Sequence, residues 1–488
     1  MRAAWRAADI RAAEEALIPT LPPGTLMQRA AAGLARRCAS VLAARGGVYG
    51  ARVLLLVGAG NNGGDALYAG ARLASRGAAV TALLVAPDRA HAEGLAALRA
   101  VGGRAVTELP AVADMIVDGI LGSGARGPLR GAAADVVENL PGVRASAGGR
   151  PVVVAVDVPS GVDVNTGQVE GPVVPADVTV TFGCLKPALV VGAAVTYAGH
   201  VDVVDIGLPW LAVRPAAWVP ELSDVRRWWP TLTPASDKYN RGVVGLATGS
   251  SAFPGAALMS VAGALGGPTG MVRYAGQVAD EVVRAHPSVV PAGRVADAGR
   301  VQAWVCGCGL GTDRRAGEEL RAVLGAPVPA VIDADALTLL SHGDLSSWLR
   351  QREAPTVVTP HDREFARLAG DQPGPDRLAA ATELAAQLGV VVLLKGDRTI
   401  VATPEGTVWV NPTGTPALAT AGTGDVLAGL LGSLLAAGLP ADRAAVAAAF
   451  THGLAGRAAA DRLGGEHAPV TAPDVAAALR EVVATLAP

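Results

Sequence analysis

Two aspartates stand where a side chain can move a proton. Asp157 opens DVPSGVD directly after the apolar run PVVVAV, so it projects from a buried strand end, with Pro159 and Gly161 shaping the turn. A carboxylate there serves as general acid or base, or it caps a turn. Asp425 closes Ala421-Gly422-Thr423-Gly424-Asp425, which follows Gly414-Thr415 and precedes a long apolar helix. Amides of such a turn and of the helix N-terminus converge into an anion cradle. Asp425 could then take the proton of an attacking hydroxyl while the amides stabilise a phosphoryl group in transfer. The plainer alternative is a glycine-rich turn whose aspartate favours the helix dipole.

Other residues cluster around these two in the sequence. Gly58-Ala59-Gly60-Asn61-Asn62-Gly63 matches the dinucleotide pattern G-x-G-x-x-G between a strand and a helix. Asp65, expected at that helix N-terminus, would repel a pyrophosphate, so the loop is suited to something else. The side-chain oxygens of the adjacent Asn61 and Asn62, with those of Asp118 and Ser160 from neighbouring strand ends, are hard ligands fit for a monovalent or a hard divalent cation. The glycine-rich stretch Gly122 to Pro128 could hold phosphate or simply turn the chain. Lysine occurs only at 186, 238 and 395, against 41 basic residues in all. A retained lysine in an arginine-rich chain suggests a site that needs a compact ammonium, although chance suffices for Lys238. Lys395, in LLKGDRT, reads as a phosphate contact. Asp333, Asp335, His361 and Glu364 end strands of the same half, and His361 could equally be a turn histidine. Cys306-Gly-Cys308 has no partner at metal-ligand spacing and reads as two small buried residues.

The elements that must position these residues are those of an α/β protein. RVLLLV, GAGNNGGD, ALYAGARLASRG and AAVTALLVA form a βαβ unit. MIVDGILGSG, PVVVAVDVPSG and DVTVTFGC add apolar strands, so the first half is predicted to be a Rossmann-like doubly wound sheet. Sites in such sheets gather at the carboxyl ends of the strands, which makes Asn62, Asp118 and Asp157 neighbours. A Pro- and Trp-rich stretch marks a junction. The expected division is 1–215, a linker 216–240, and 241–488, where VVGLATGS, the helix PGAALMSVAGAL and strands at AWVCGCG, PAVIDAD, TVVTP and VVVLLKG follow.

Composition narrows the function. A chain of 488 residues exceeds the size of most single cores. Its net charge of -2 offers no broad attraction for nucleic acid or an anionic membrane, and small-molecule chemistry is the better expectation. Four scattered cysteines suit a reducing cytoplasm. The charged N-terminus shows no export signal, and the apolar stretch 426–439 is too short and too glycine-rich to span a bilayer, reading instead as a buried helix.

NNGGD at 61–65, VDGILGSGARGPLRG at 117–131 and VDVPSGVD at 156–163 resemble the NAD(P)H-hydrate epimerase family over roughly residues 1–215. The resemblance implies a potassium ion at Asn62, Asp118 and Ser160. It implies substrate contacts from Asn61, Asn62, Gly63, Gly64 and Asp65 and from Gly122, Ser123, Gly124, Ala125, Arg126, Gly127 and Pro128, with Asp157 as acid/base at the hydrated ring carbon. GSSAFPGAAL, CGCGLGTD, DADAL, TPHDRE, LKGDRTIV and NPTGTPALATAGTGD resemble the ADP-dependent NAD(P)H-hydrate dehydratases, of ribokinase-like fold, over roughly 230–488. That resemblance implies that Lys395, Gly396, Asp397, Arg398, Thr399 and Gly424 contact ADP, with Mg²⁺ accompanying the nucleotide. Ala256, Gly309, His361 and Asp425 then face the hydrate, and Asp425 activates its hydroxyl. Asp237, Asp362, Arg363, Thr415 and Ala417 depart from the family pattern. The implied function is repair of NADHX and NADPHX by epimerisation and ADP-dependent dehydration in a cytoplasmic homo-oligomer, with no nucleic-acid or membrane partner. The competing reading is a vitamin or sugar kinase carrying a noncatalytic N-terminal binding module.

Overall fold

The computed structural model describes residues 1–124, 127–209, 213–341, 345–465 and 467–486. It divides into two units, one of Ala3–Ala216 and the other of Ala217–Pro488 with Met1–Arg2.

The N-terminal unit is built on a seven-stranded parallel sheet. Its strand order is Arg104–Val106, Ala79–Leu84, Arg52–Val57, Met115–Gly119, Val152–Val156, Val178–Phe182, His200–Val204. Such sheets are covered on both faces, which is why their strands read as continuous apolar runs. Along Arg52–Val57 the pleat sends Val53, Leu55 and Val57 into one core and Leu54 and Leu56 into a second. The chain winds outward from Arg52–Val57 through two strands, then returns to place Met115–Gly119 on its other side. The loops after these two central strands therefore diverge, and a cleft opens at that switch point. The expected doubly wound sheet is present. Two short strands, Arg104–Val106 and His200–Val204, extend it; both are partly exposed edges without a long apolar run.

In the C-terminal unit a mixed sheet runs in the order Ala217–Val219, Val408–Val410, Ile400–Ala402, Val391–Leu394, Thr356–Val358, Ala330–Ile332, Ala303–Cys306, Val243–Ala247, Met271–Ala275, Val290–Ala292. Ile400–Ala402 pairs antiparallel with both of its neighbours, Val391–Leu394 and Val408–Val410. The expected linker 216–240 is corrected: Ala217–Val219 joins this sheet through the Trp218–Trp409 pair, and Leu222–Trp228 is a helix with a Glu221/Asp224 capping box. Val225 and Trp229 reach the core of this unit, so the Trp-rich text was apolar packing rather than a tether.

Helix Thr423–Ala436 carries almost no exposed face, as expected for the apolar stretch. It crosses helix Pro254–Gly266 at glycine contacts. A methyl group on Gly429 would lie 1.9 Å from the Ser260 carbonyl oxygen, and one on Gly263 2.1 Å from that of Val426. This close backbone approach fixes where the N-terminus of Thr423–Ala436 stands. Gly429→Ala should therefore destabilise the C-terminal unit by about 1–3 kcal/mol through overpacking, despite the better helix propensity of alanine. A urea titration followed by tryptophan fluorescence measures this, and an unchanged midpoint would contradict the close approach.

Candidate functional sites

In the N-terminal unit, helix Asn61–Ala74 begins at the switch point. The Asn62 Nδ2 donates to the carbonyls of Val156 (2.7 Å) and Leu121 (3.1 Å), tying the helix to the ends of two neighbouring strands. Gly122 must lack a side chain, because a Cβ there would lie 2.2 Å from the Asn62 amide. Ser160 donates from Oγ to Asp118 Oδ1 (2.7 Å) and from its backbone N–H to Oδ2 (2.8 Å). Asn62, Asp118 and Ser160 thus come together as expected. Asp118 is fully buried, and burial pushes its pKa up to about 6 against the opposing Ser160 hydrogen bonds.

Asp157 is buried at φ +70°, a conformation that costs an L-residue roughly 1–3 kcal/mol. Its Oδ1 accepts from Lys186 Nζ (2.5 Å), Thr181 Oγ1 (3.1 Å) and the Phe182 N–H (3.4 Å), and its Oδ2 from the Ser123 N–H (3.3 Å). Lys186 is 1% exposed and also donates to Thr181 Oγ1 and the Phe182 carbonyl, so all three ammonium protons have acceptors. Asn61, Asn62, Asp65, Ser123, Asp157 and Lys186 line a cavity of about 260 Å³, closed by Glu14 and the segment Ile18 to Met27. Lys186 was missing from the expected site residues, although the scarcity of lysine pointed to it. Glu14 and residues 18–27 carry no motif. Asp65 lies a full turn inside the helix rather than at its N-terminus, which corrects the expected repulsion of a pyrophosphate there. Gly63 and Gly64 are buried in the first turn, where Gly63 packs on the Gly58 carbonyl. Gly124 and Gly127 have open space around them, Pro128 approaches Gly171, and Ala125 and Arg126 lie outside the described residues.

The C-terminal unit repeats the device of a lysine on a strand-end aspartate. Lys395 Nζ donates to Asp333 Oδ1 (2.7 Å) and lies 3.7 Å from Glu364. Burial alone would lower the Lys395 pKa, but these two carboxylates outweigh it and raise it. Ala334, after Asp333, takes φ +49°; among the described residues it and Asp157 are the only non-glycine residues at positive φ. The Cys308 thiol bridges Asp333 (3.8 Å) and Asp425. Burial first and Asp333 second push the Asp425 pKa up to about 7. Lys395, Gly396, Asp397, Thr399, Gly414, Thr415, Thr423 and Gly424 line a cavity of about 330 Å³. Arg398 is not among its lining and donates instead to the Pro412 carbonyl. Asp425 flanks that cavity on the side of Cys308 and Asp333, without lining it. Gly309, at φ +58°, packs on Ala256. His361 is exposed and accepts the Arg363 and Glu364 N–H groups at Nδ1, and the Glu364 carboxylate caps it in return.

Residues 23–188 match the YjeF-related N-terminal family, and 244–478 match the family described as NAD(P)H-hydrate dehydratase. The chain is 47% identical over 490 aligned positions, covering 100% of both chains, to the bifunctional NAD(P)H-hydrate repair enzyme of Mycobacterium leprae. It belongs to this family of bifunctional repair enzymes. The same enzyme of Salinibacter ruber is 36% identical, over 96% of this chain and 92% of its own. A ribokinase-like superfamily protein of Enterococcus faecalis, 24% identical, superposes with a TM-score of 0.50 over 57% of this chain and 99% of its own, which bears on the fold alone.

The positions that depart from the family pattern are structurally satisfied. Asp362 forms a two-pronged pair with Arg377 (2.8 and 3.0 Å), Asp237 caps an exposed turn through the Tyr239 and Asn240 N–H groups, and Thr415 Oγ1 accepts from the Ala417 N–H. Lys238, the third lysine, lies over the Tyr239 ring at the surface. Cys306 and Cys308 are buried free thiols, and among the described residues no acidic, histidine or cysteine cluster of three could hold a metal.

If Asp425 is the base of the C-terminal reaction it must be ionised to act, and its raised value then sets the direction of the pH response. The kcat/KM of the C-terminal reaction should fall about tenfold per pH unit below pH 7 and level off above it. A rate profile from pH 5.5 to 9 that stays flat through this window would remove Asp425 as the base.

Proposed function

We propose that the N-terminal unit interconverts the R and S epimers of NAD(P)H hydrate, and that the C-terminal unit dehydrates the S epimer at the expense of ADP, releasing AMP and phosphate. The observation that carries this reading is the pair of acidic strand ends, Asp157 with Lys186 and Asp425 beside Asp333 and Lys395, in one chain of this family.

At the first site, Lys186, Thr181 and the Phe182 N–H hold Asp157 Oδ1, whereas Oδ2 accepts only the long Ser123 N–H contact among the described residues, so Oδ2 is the oxygen that exchanges a proton at the hydrated ring carbon. At the second site, the amides at the start of helix Thr423–Ala436 and the Lys395 ammonium bind the nucleotide phosphates. Asp425 takes the proton of the hydrate hydroxyl as the hydroxyl oxygen attacks the terminal phosphorus of ADP, and the phosphoanhydride P–O bond breaks with AMP leaving. The phosphate ester then eliminates: the C–O bond breaks, a proton leaves the adjacent ring carbon, and the double bond returns. A Mg²⁺ ion bound with the nucleotide would supply neutralisation of the phosphate charge during the transfer.

The residues also fit a potassium ion. Asp118, Ser160 and Asn62 offer oxygen atoms, and Asp118 is a wholly buried carboxylate with no cationic side chain paired to it among the described residues. Bound there, the ion supplies a counter-charge that keeps the Asn62 and Ser160 loops in register. The four free cysteines support a reducing cytoplasm, and no helix among the described residues is long and apolar enough to cross a membrane.

Chemically hydrated NADH and NADPH test the reading. Asp157→Ala should slow epimer interconversion by about 10²–10⁴-fold with dehydration of the S epimer intact, and Asp425→Ala should do the reverse. Stable phosphorylation of an unrelated alcohol, without recovery of the reduced-nicotinamide absorbance, would favour a vitamin or sugar kinase instead. Potassium at a hundred times its dissociation constant should stabilise the N-terminal unit by about 2.7 kcal/mol, and Asp118→Asn should abolish the response. Thermal unfolding in potassium and tetramethylammonium chlorides at equal ionic strength measures this, and equal midpoints would exclude the cation site.

A further inference from the structure

Inversion at the hydrated ring carbon has a chemical requirement that one carboxylate does not meet. The hydroxyl of the hydrate sits on a carbon bonded to the ring nitrogen, whose lone pair can expel it. Hydroxide is a poor leaving group, so the departing oxygen needs a proton, and the water that returns to the other face must lose one. An acid and a base with separated proton affinities are needed in the same cavity.

Asp157 is held by donors on both of its oxygens. Its Oδ1 accepts from an ammonium whose other two hydrogen bonds are also made, and both of its oxygens receive backbone N–H groups. Asp65 stands in the opposite situation. It is 6% exposed, lines the same cavity from helix Asn61–Ala74, and its Oδ1 is buried without a hydrogen-bond partner. The charged groups that act on it are Asp157 after strand Val152–Val156 and Glu14 on helix Ala7–Leu17, both like charges, with Lys186 as the single opposing one. Lys186 has no proton to spare for Asp65, because all three are donated elsewhere. A buried carboxyl with no donor to solvate its charge keeps its proton. Burial, then Asp157, then Glu14 accordingly hold its pKa well above the usual carboxylate range.

We propose that Asp65 is the catalytic proton donor of the epimerase site, the acid partner of Asp157. The inference rests on the epimerase reading of this cavity. Asp65 gives its proton to the hydroxyl, the C–O bond breaks with its electron pair leaving in water, and the ring nitrogen lone pair forms C=N⁺. Water then adds to the opposite face. Asp157 takes its proton as the new C–O bond forms, and the electron pair of the C=N⁺ bond returns to nitrogen. A proton passing from Asp157 back to Asp65 through water resets the site, and the sum is an isomerisation with nothing consumed.

The test is Asp65→Asn in the full chain, which keeps the shape and removes the proton. The expected kcat for epimer interconversion falls at least about 10²-fold with KM changed less than about threefold. ADP-dependent dehydration of the S epimer in the same preparation reports that the C-terminal unit is intact, and a thermal unfolding profile equal to that of the wild-type protein, with the nearly unchanged KM, reports that the N-terminal unit is folded. In H₂¹⁸O the wild-type protein should incorporate one ¹⁸O per inversion, and the wild-type kcat should decline at alkaline pH as the acid is lost, a limb that Asp65→Asn lacks. Wild-type kcat in the variant, or inversion without ¹⁸O uptake, overturns the proposal. If the wild-type protein does not accelerate interconversion over buffer, the epimerase reading itself fails, and the two failures are thereby told apart.

Discussion

The molecule depends on holding a lysine ammonium against an aspartate at the closed end of an apolar strand, once in each unit. Removing one partner of a buried pair leaves an uncompensated charge, at a cost of about 3–5 kcal/mol. Each pair is therefore stable only when its remaining donors and acceptors are met. Around Lys186 they are met by Thr181 and the Phe182 carbonyl; around Lys395, the Glu364 carboxylate at 3.7 Å adds a second counter-charge and is itself held as the cap of the following helix. The strands Val152–Val156 and Ala330–Ile332 are buried along their whole length, so the charges gather where each strand stops.

This arrangement explains where backbone strain is found. Among the described residues, the two non-glycine residues at positive φ, Asp157 and Ala334, sit at or next to the paired aspartates. Extended backbone through Asp157 would carry its carboxylate past the lysine; the left-handed turn brings it back into contact with Lys186 and Ser123. The pair and its hydrogen bonds offset the conformational cost, and the carboxylate is held in one orientation before any substrate arrives.

Much of this was legible in the sequence because the same physics wrote it. Apolar runs ending in DVPSG, DADAL, TPHD and LKGD mark strands whose polar ends converge, and GTGD before an apolar helix marks the amide cradle. Lysine scarcity was the most informative feature of composition: two of the three lysines sit on aspartates, Lys186 buried and Lys395 half-buried, and the third is at the surface. The Glu14 and Ile18 to Met27 wall was not legible, since it is ordinary helix and turn text whose role arises only when the N-terminal segment folds over the sheet. Nor was the packing of Ala217–Trp229, because a short edge strand and a seven-residue helix carry too little periodicity to be told from a linker. Asp65 was assigned to the wrong turn of its helix for a related reason. Three glycines within six positions blur where a helix begins, and only the Asn62 hydrogen bonds fix its start at Asn61.

Fusing the two units has a thermodynamic logic under the proposed function. Epimer interconversion is nearly isoenergetic and stops at a mixture, whereas cleavage of a phosphoanhydride followed by loss of phosphate is strongly downhill. A dehydratase selective for one epimer leaves the other behind, and an epimerase on its own repairs nothing. Encoded together, the units are made in equal number, so each S epimer consumed is replaced from the R pool and the mixture drains by mass action. This coupling requires no channel and no particular arrangement of one unit against the other. It requires two separately assembled sites, and each unit here has its own sheet, its own core and its own lysine-aspartate pair.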